Sequence, residues 1–186
     1  MSSHHKSDIE IQQELQQITA AKENPARFGV LYDKYYKLIF VFIHRRTDDE
    51  ELAADITSQV FLKALINIKK YEFKGVPFSA WLFRIAFNEI NMYFRKNNGQ
   101  RVVSIDQGGI LQIAQEVDLD ENAEGIKQMM NAVKQLAAED VQLIELRFFE
   151  KHSFAEVGAI IGITENNAKV KVYRILEKLK KVLSKK

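Results

Sequence analysis

Near the end of the sequence, Asn166, Asn167, Lys169, Lys171, Tyr173 and Arg174 gather amides, cations and a phenol within a single short stretch. On the exposed side of a helix such groups can hydrogen-bond base edges and phosphates in a major groove. A second set, Tyr93-Phe94-Arg95-Lys96, interleaves aromatic rings with cations. That composition suits stacking on unpaired bases and contact with their phosphates. Covalent and metal chemistry is poorly served by comparison. The chain has no cysteine, which excludes a thiol nucleophile, a disulfide scaffold, an iron–sulfur cluster and any Cys-type zinc site. His4, His5, His44 and His152 do not have metal-ligand spacing. There is no glycine-rich phosphate loop and no triad-like grouping of Ser, His and carboxylates. The residues predict a binding protein rather than an enzyme, with no metal and no cofactor.

The elements that must carry these groups read as helices. In 186 residues with 46% apolar and 28% charged side chains there are only 8 glycines and 2 prolines. That is too few breakers for a sandwich or barrel. The reading is an all-α chain of two helical domains. Around the first polar set, residues 153–172 have the pattern of a helix-turn-helix. Val157 and Ile161 face inward, Gly158 is small at the crossing, and Gly162 permits the sharp turn. Ile163 fills the corner, Thr164 caps the second helix, and Ala168 with Val172 packs that helix back. A plain helical hairpin would share these packing positions but would not need the amides and cations outside them. Helices are expected near 125–136, 139–150, 153–161 and 164–184, placing a four-helix domain at 126–186.

Toward the N-terminus, Phe28, Leu31, Tyr32, Tyr35, Ile39, Phe42 and Ile43 keep the spacing of one buried helical stripe. Thr47-Asp48-Asp49 offers an N-cap for a second helix with Leu52, Ala53, Ile56, Val60, Ala64, Leu65 and Ile68 inward. After a loop over 69–77, Ser79 is expected to cap a third helix carrying Trp81, Leu82, Ile85 and Ala86 and running through Arg95. This bundle of three to four helices spans 27–96, preceded by a helix or extension at 1–26. Residues 97–125, with Asn97-Asn98-Gly99 and Gly108-Gly109 as turn signals, read as a linker with one short helical segment near Ile110–Ala114.

Charge follows the same division. Residues 102–125 hold six acidic and no basic groups, whereas 164–186 hold eight basic and two acidic. Residues 27–101 hold thirteen basic and eight acidic groups. Two basic blocks separated by an acidic stretch suggest two polyanion-facing modules, although solvated faces would give the same pattern. The longest apolar run, Leu38–Ile43, is far short of the ~20 residues of a membrane helix. The start MSSHHKSDIEIQQ lacks a secretory pattern, and the expected location is cytoplasmic.

Four stretches, in order along the chain, carry a family resemblance. Ala54–Phe61, Phe78–Asn88 and Tyr93–Lys96 resemble conserved region 2 of sigma-70-type initiation factors, and Leu136–Leu183 resembles region 4. With only a short acidic linker between them, the chain resembles an extracytoplasmic-function (group IV) sigma factor. The resemblance implies that it binds core RNA polymerase, recognises the −35 and −10 elements of promoter DNA and helps melt the latter. An anti-sigma factor is a further implied partner.

It also implies roles for particular residues. Asp55, Gln59 and Phe61 would lie on the surface that docks on the clamp helices of the largest polymerase subunit, with ordinary core packing the alternative for Phe61. Asn88 matches the asparagine beside the pocket for a flipped −10 base, a pocket shaped by the loop Glu72–Phe78 with Lys74. Tyr93, Arg95 and Lys96 would contact the −10 strand, while Trp81, on its helix's apolar stripe, is read as core. Asn166, Asn167, Lys169, Tyr173 and Arg174 would face the −35 element, with Lys171 on a phosphate. Ser58, Gln59, Phe87 and Met92 depart from the family pattern. The acidic linker would occupy the RNA exit path or serve as a solvated tether. Two other readings compete. One is a free-standing helix-turn-helix regulator with an N-terminal sensing or dimerisation bundle. The other is a sigma-derived interaction protein that does not read DNA. The −10-like residues speak against the first and the basic recognition helix against the second.

Overall fold

The computed structural model describes residues 8–97, 102, 106–120 and 122–184. Among these residues there is no strand, and the chain divides into two compact units, the first reaching to Val102 and including Ala159–Gly162. The first unit begins with α1 (Asp8–Glu23) and a 3-10 turn, Pro25–Phe28, capped by the Asn24 side chain. Next come α2 (Gly29–Thr47), α3 (Glu50–Asn67) and α4 (Phe78–Lys96). Asp48 ends α2 in the left-handed region at φ 52, and Asp49 caps α3 by accepting from the Leu52 N–H at 3.0 Å. The expected cap at Thr47–Asp49 therefore falls on its last residue. Leu31, Ile39 and Ile43 of α2, Ala53, Val60 and Ala64 of α3, and Leu82, Ala86 and Ile90 of α4 are buried together as the core.

Two features depart from expectation. Ser79 caps nothing: α4 starts one residue earlier, Ser79 is buried in its first turn, and Pro77 occupies the cap position without a side-chain bond. The Phe78 N–H instead meets Glu14 Oε2 of α1 at 3.4 Å, a carboxylate placed where the helix macrodipole favours it. And α1, which the sequence reading set outside the bundle, packs against α2 and the 3-10 turn Ile68–Lys70, burying Ile18 and Ala21. Its apolar positions are too sparse for a stripe to stand out in the sequence.

The second unit holds α5 (Gln107–Glu116), α6 (Ala123–Lys134), α7 (Ala138–Ile144), α8 (Phe154–Ile161, whose last three residues group with the first unit) and α9 (Glu165–Leu183). Side-chain oxygens of Asp106, Asn122 and Thr164 cap α5, α6 and α9. Part of the stretch read as linker is thus a ten-residue helix, α5, whose buried Ile110, Ile113 and Ala114 pack on α6. Asn98, Gly99 and Glu121 lie outside the described residues. The helix begun by α7 continues as a π turn over Glu145–Phe149. Its wider turn admits the consecutive Phe148 and Phe149 to the core together.

Gly109 of α5 lies against that turn. A Cβ there would sit 2.3 Å from the Phe149 ring and 2.9 Å from the Phe148 carbonyl. Gly109→Ala is expected to cost about 1–3 kcal/mol through overpacking, read as a lower midpoint in urea denaturation. Gly108→Ala, whose added carbon meets only the Asp106 cap carboxylate at 3.2 Å, should cost less than Gly109→Ala.

Candidate nucleic-acid interface

The turn between α8 and α9 follows from two glycines. Gly162 adopts φ +82, and a Cβ on Gly158 would come within 2.8 Å of the Ile163 carbonyl and 3.1 Å of the Glu165 nitrogen. The start of α9 can therefore lie directly on α8. Ala168, Val172, Ile175, Leu176 and Leu179 then form the buried stripe of α9. Val157 is buried as expected, and Ile161 is half-buried.

The opposite side of α9 is exposed. Asn166, Lys169, Tyr173 and Arg174 line one shallow hollow together with Val170 and Lys181. Asn167 and Lys171 are exposed on the adjoining strip and do not line it. Tyr173 is set by Phe154, whose ring lies 6.2 Å away, and Phe154 in turn carries the Arg147 guanidinium 4.6 Å above its face. Arg147 and Phe154 had no signal in the sequence, because their roles depend on α7 and α8 meeting α9. Lys178 pairs with Asp140 at 2.7 Å and Lys180 with Asp118 at 2.9 Å. That bond holds the Asp118 carboxyl below its usual range. Lys185 and Lys186 lie outside the described residues.

In the first unit, Asn88 opens onto a cleft of about 360 Å³ shared with Lys63, Asn67, Lys70 and Trp81. Lys63 is paired across it with Glu89 at 2.6 Å. Trp81 is half-buried, its ring packing on Tyr71 and Phe78 at 5.1 and 5.3 Å while also walling the cleft. It thus serves as core and as an accessible aromatic surface at once. Lys74 is exposed on the loop but does not line the cleft. Tyr93, Arg95 and Lys96 are exposed at the far end of α4, outside the cleft.

On α3, Asp55 and Gln59 are exposed. Phe61 is not: at 4% exposure it sits among the rings of Phe28, Tyr32 and Tyr36, so the docking role expected of it is corrected to core. The apolar groups on the outward stripe with Asp55 and Gln59 are Leu62 and Ile66, 51% and 68% exposed. Helical spacing places all four on one side.

His152 differs from the sequence reading, which left it isolated. It is 2% exposed, with Nε2 3.3 Å from Glu150 and Nδ1 3.8 Å from Glu156, and its carbonyl accepts from Arg147. Glu156 also accepts from the Ser153 N–H while Ser153 Oγ accepts from the Glu156 N–H, a reciprocal capping box opening α8. His44 stacks on Phe40, and His4 and His5 lie outside the described residues. Among the described residues no three potential ligands converge on a metal position, and no helix is long and apolar enough to cross a membrane.

The architecture defines an all-helical, two-unit protein built around a helix-turn-helix with a polar, cationic outer face. Residues 31–100 match the profile of Sigma-70 region 2 and residues 126–179 that of Sigma-70, region 4. The extracytoplasmic-function (ECF) RNA polymerase sigma factor BldN of Streptomyces coelicolor is 30% identical over 84% of this chain and 60% of its own length. The ECF sigma factors SigM and SigW of Bacillus subtilis are each 26% identical, over 81% and 84% of this chain and 91% and 88% of theirs. The chain thus spans about three-fifths of the first relative and nearly all of the other two. The fold is also that of CnrH, solved in complex with the cytosolic domain of CnrY (TM-score 0.56, 18% identity, 92% of this chain and 97% of that one). It recurs in the sigma factor RpoE, solved with the anti-sigma factor NepR from Bartonella quintana (TM-score 0.52, 19% identity, 84% and 96%). The chain belongs to the sigma-70 family, in its extracytoplasmic-function group.

The His152 cluster makes stability pH-dependent in a defined direction. Burial pushes the His152 pKa down, but the Glu150 and Glu156 carboxylates outweigh it and leave the pKa above 6.5. Its contribution is therefore full below pH 6.5 and lost as pH rises through the folded value. Burial likewise raises the Glu156 pKa, yet the nearby His152 and the Ser153 bonds bring it to about 2, so its contribution is present above 4.5 and lost on acidification toward 2. Denaturation midpoints should decline from both sides of this window. His152→Gln should flatten the alkaline limb, and Glu156→Gln should cost about 1–3 kcal/mol at pH 6.

Proposed function

We propose that this chain is a promoter-specificity subunit: it joins core RNA polymerase, reads the −35 element with α9 and captures the opened −10 strand with α4. The observation that carries the reading is the pairing, in one chain, of a helix-turn-helix with an outward amide–cation face and a separate helical unit with an amide–aromatic cleft also lined by Lys63 and Lys70. The first matches duplex readout through base edges, the second an unstacked base and its phosphates. Under this reading the stripe Asp55, Gln59, Leu62 and Ile66 docks on the polymerase, mixing polar groups with exposed apolar area as interfaces do. Asn166, Lys169, Tyr173 and Arg174 face the −35 bases, with Asn167 and Lys171 at the flanking phosphates. Asn88 meets the flipped base, and Lys74, Tyr93, Arg95 and Lys96 follow the single strand. Bond-making belongs to the polymerase, the chain itself contributing no catalysis, and its place of work is the cytoplasm. An anti-sigma factor covering these faces is a further proposed partner.

The deciding experiment is transcription by core polymerase with and without the chain on candidate promoters; absence of any chain-dependent RNA would end the proposal. Arg174→Ala should lose about 1–3 kcal/mol of discrimination at one −35 base pair, measured as relative affinity across single-base promoter variants. A uniform loss on all variants would move Arg174 to a phosphate. Leu62→Asp should weaken assembly with core polymerase by about tenfold or more while leaving helicity intact, measured by titrating the chain against core.

A further inference from the structure

The loop between α3 and α4 is anchored at both ends by one helix. Tyr71 and Phe78 bound it, both buried, with ring centroids 5.0 Å apart; between them Glu72, Phe73, Lys74 and Gly75 are exposed. At the Tyr71 end, Lys22 Nζ of α1 donates to the Tyr71 carbonyl at 2.6 Å and lies 5.8 Å from the centre of its ring. At the other end, Glu14 of α1, only 4% exposed, accepts from the Phe78 N–H at 3.4 Å. Glu14 is itself fixed by Lys34 Nζ at 3.0 Å and by the Tyr35 hydroxyl, both of α2. Lys22 and Glu14 stand about two helical turns apart, so α1 spans the loop as a rigid strut.

The strut leads to the cleft. Tyr71 and Phe78 are the two rings that pack on Trp81, and Trp81 forms a wall of the cleft beside Asn88. Burying a carboxylate is costly and gives little net stability compared with an apolar residue, so a buried Glu14 is better explained by geometry it enforces. Burial, and next the Glu14 charge, push the Tyr71 hydroxyl up to about 12, keeping that anchor neutral. Glu14 and Lys22 themselves lie N-terminal to the stretch 31–100 that matches region 2.

We propose that α1 is a positioning element for single-strand capture, with Lys22 and Glu14 fixing the two ends of the Tyr71–Phe78 loop and, through Trp81, the shape of the cleft that receives an unpaired base. The proposal rests on the −10 reading above, and its test separates the two. In the full chain, Lys22→Met removes the ammonium but keeps the stem, and Lys22→Arg restores a donor. Exchange of the Tyr71 amide at the head of the loop, which donates to the Ile68 carbonyl at 3.0 Å, should quicken about tenfold or more in Lys22→Met, the loss expected for one charged hydrogen bond. Emission from Trp81, the only tryptophan in the chain, should shift with it. With core polymerase, Lys22→Met should assemble and discriminate −35 variants as the parent does, yet form open complexes about fivefold less well, with Lys22→Arg recovering most of the loss. Glu14→Gln, which keeps the shape but not the charge, should act in the same direction.

Unchanged Tyr71 exchange in Lys22→Met would overturn the strut. Quickened exchange with parental open-complex formation would overturn its link to strand capture. Equal losses in assembly, −35 discrimination and opening would reduce α1 to a merely structural role. If the parent chain starts no RNA with core polymerase, the proposed function and the strand-capture clause fall together. Tyr71 exchange still decides whether α1 holds the loop.

Discussion

A helix that reads a nucleic acid can use only the side its own packing leaves free, and this division governs both units. In α9 the buried stripe Ala168, Val172, Ile175, Leu176 and Leu179 fixes the helix against its neighbours. Asn166, Lys169, Tyr173 and Arg174 follow on the other side without choice. The close approach of Gly158 to the start of α9 sets where that side points within the unit. In α4 the stripe Leu82, Ala86 and Ile90 does the same for Asn88. A substitution in either stripe would therefore disturb recognition indirectly, by rotating the helix that displays the polar groups.

Periodicity explains why so much of the fold was legible. The stripes of α2, α3 and α9, the Asp49 and Thr164 caps, and the Gly162 turn each arise from residues adjacent or one turn apart, where local rules operate. The features that escaped depend on contacts distant in sequence. Glu14 displaces Ser79 from the start of α4 across sixty-four residues. α1 has few apolar positions and is held by buried Ile18 and Ala21 together with the polar bonds of Lys22 and the buried Glu14. The π turn at Glu145–Phe149 is an accommodation to the core around Phe148, Phe149 and Gly109, which no single-helix pattern encodes.

The candidate site divides the same way. The α9 face was readable because its polar residues alternate with apolar ones at helical spacing. Phe61 could not be assigned from the pattern, since position 61 borders both the inward and the outward stripe of α3. Only the rings of Phe28, Tyr32 and Tyr36 around it decide for the core. The apolar share of the outward stripe passes to Leu62 and Ile66. Lys63, Asn67 and Lys70 gave no signal because they come to Asn88 only when α3 lies along α4. His152 looked isolated because its partners Glu150 and Glu156 converge only where the chain turns from the π segment into α8.

Electrostatics then limits what the second unit can do alone. Of the cations along α9, Lys178 and Lys180 are held by Asp140 and Asp118 of the same unit. Lys169, Lys171, Arg174 and Lys181 have no ion pair among the described residues. Each phosphate neutralised adds one increment of counterion release, so a unit with few unengaged cations gains little sequence-independent affinity. On the proposed function, Asp140 and Asp118 would lower the sequence-independent share of binding and leave base contacts a larger one. A reader built this way would, on that function, owe its dwell on DNA to the polymerase that carries it.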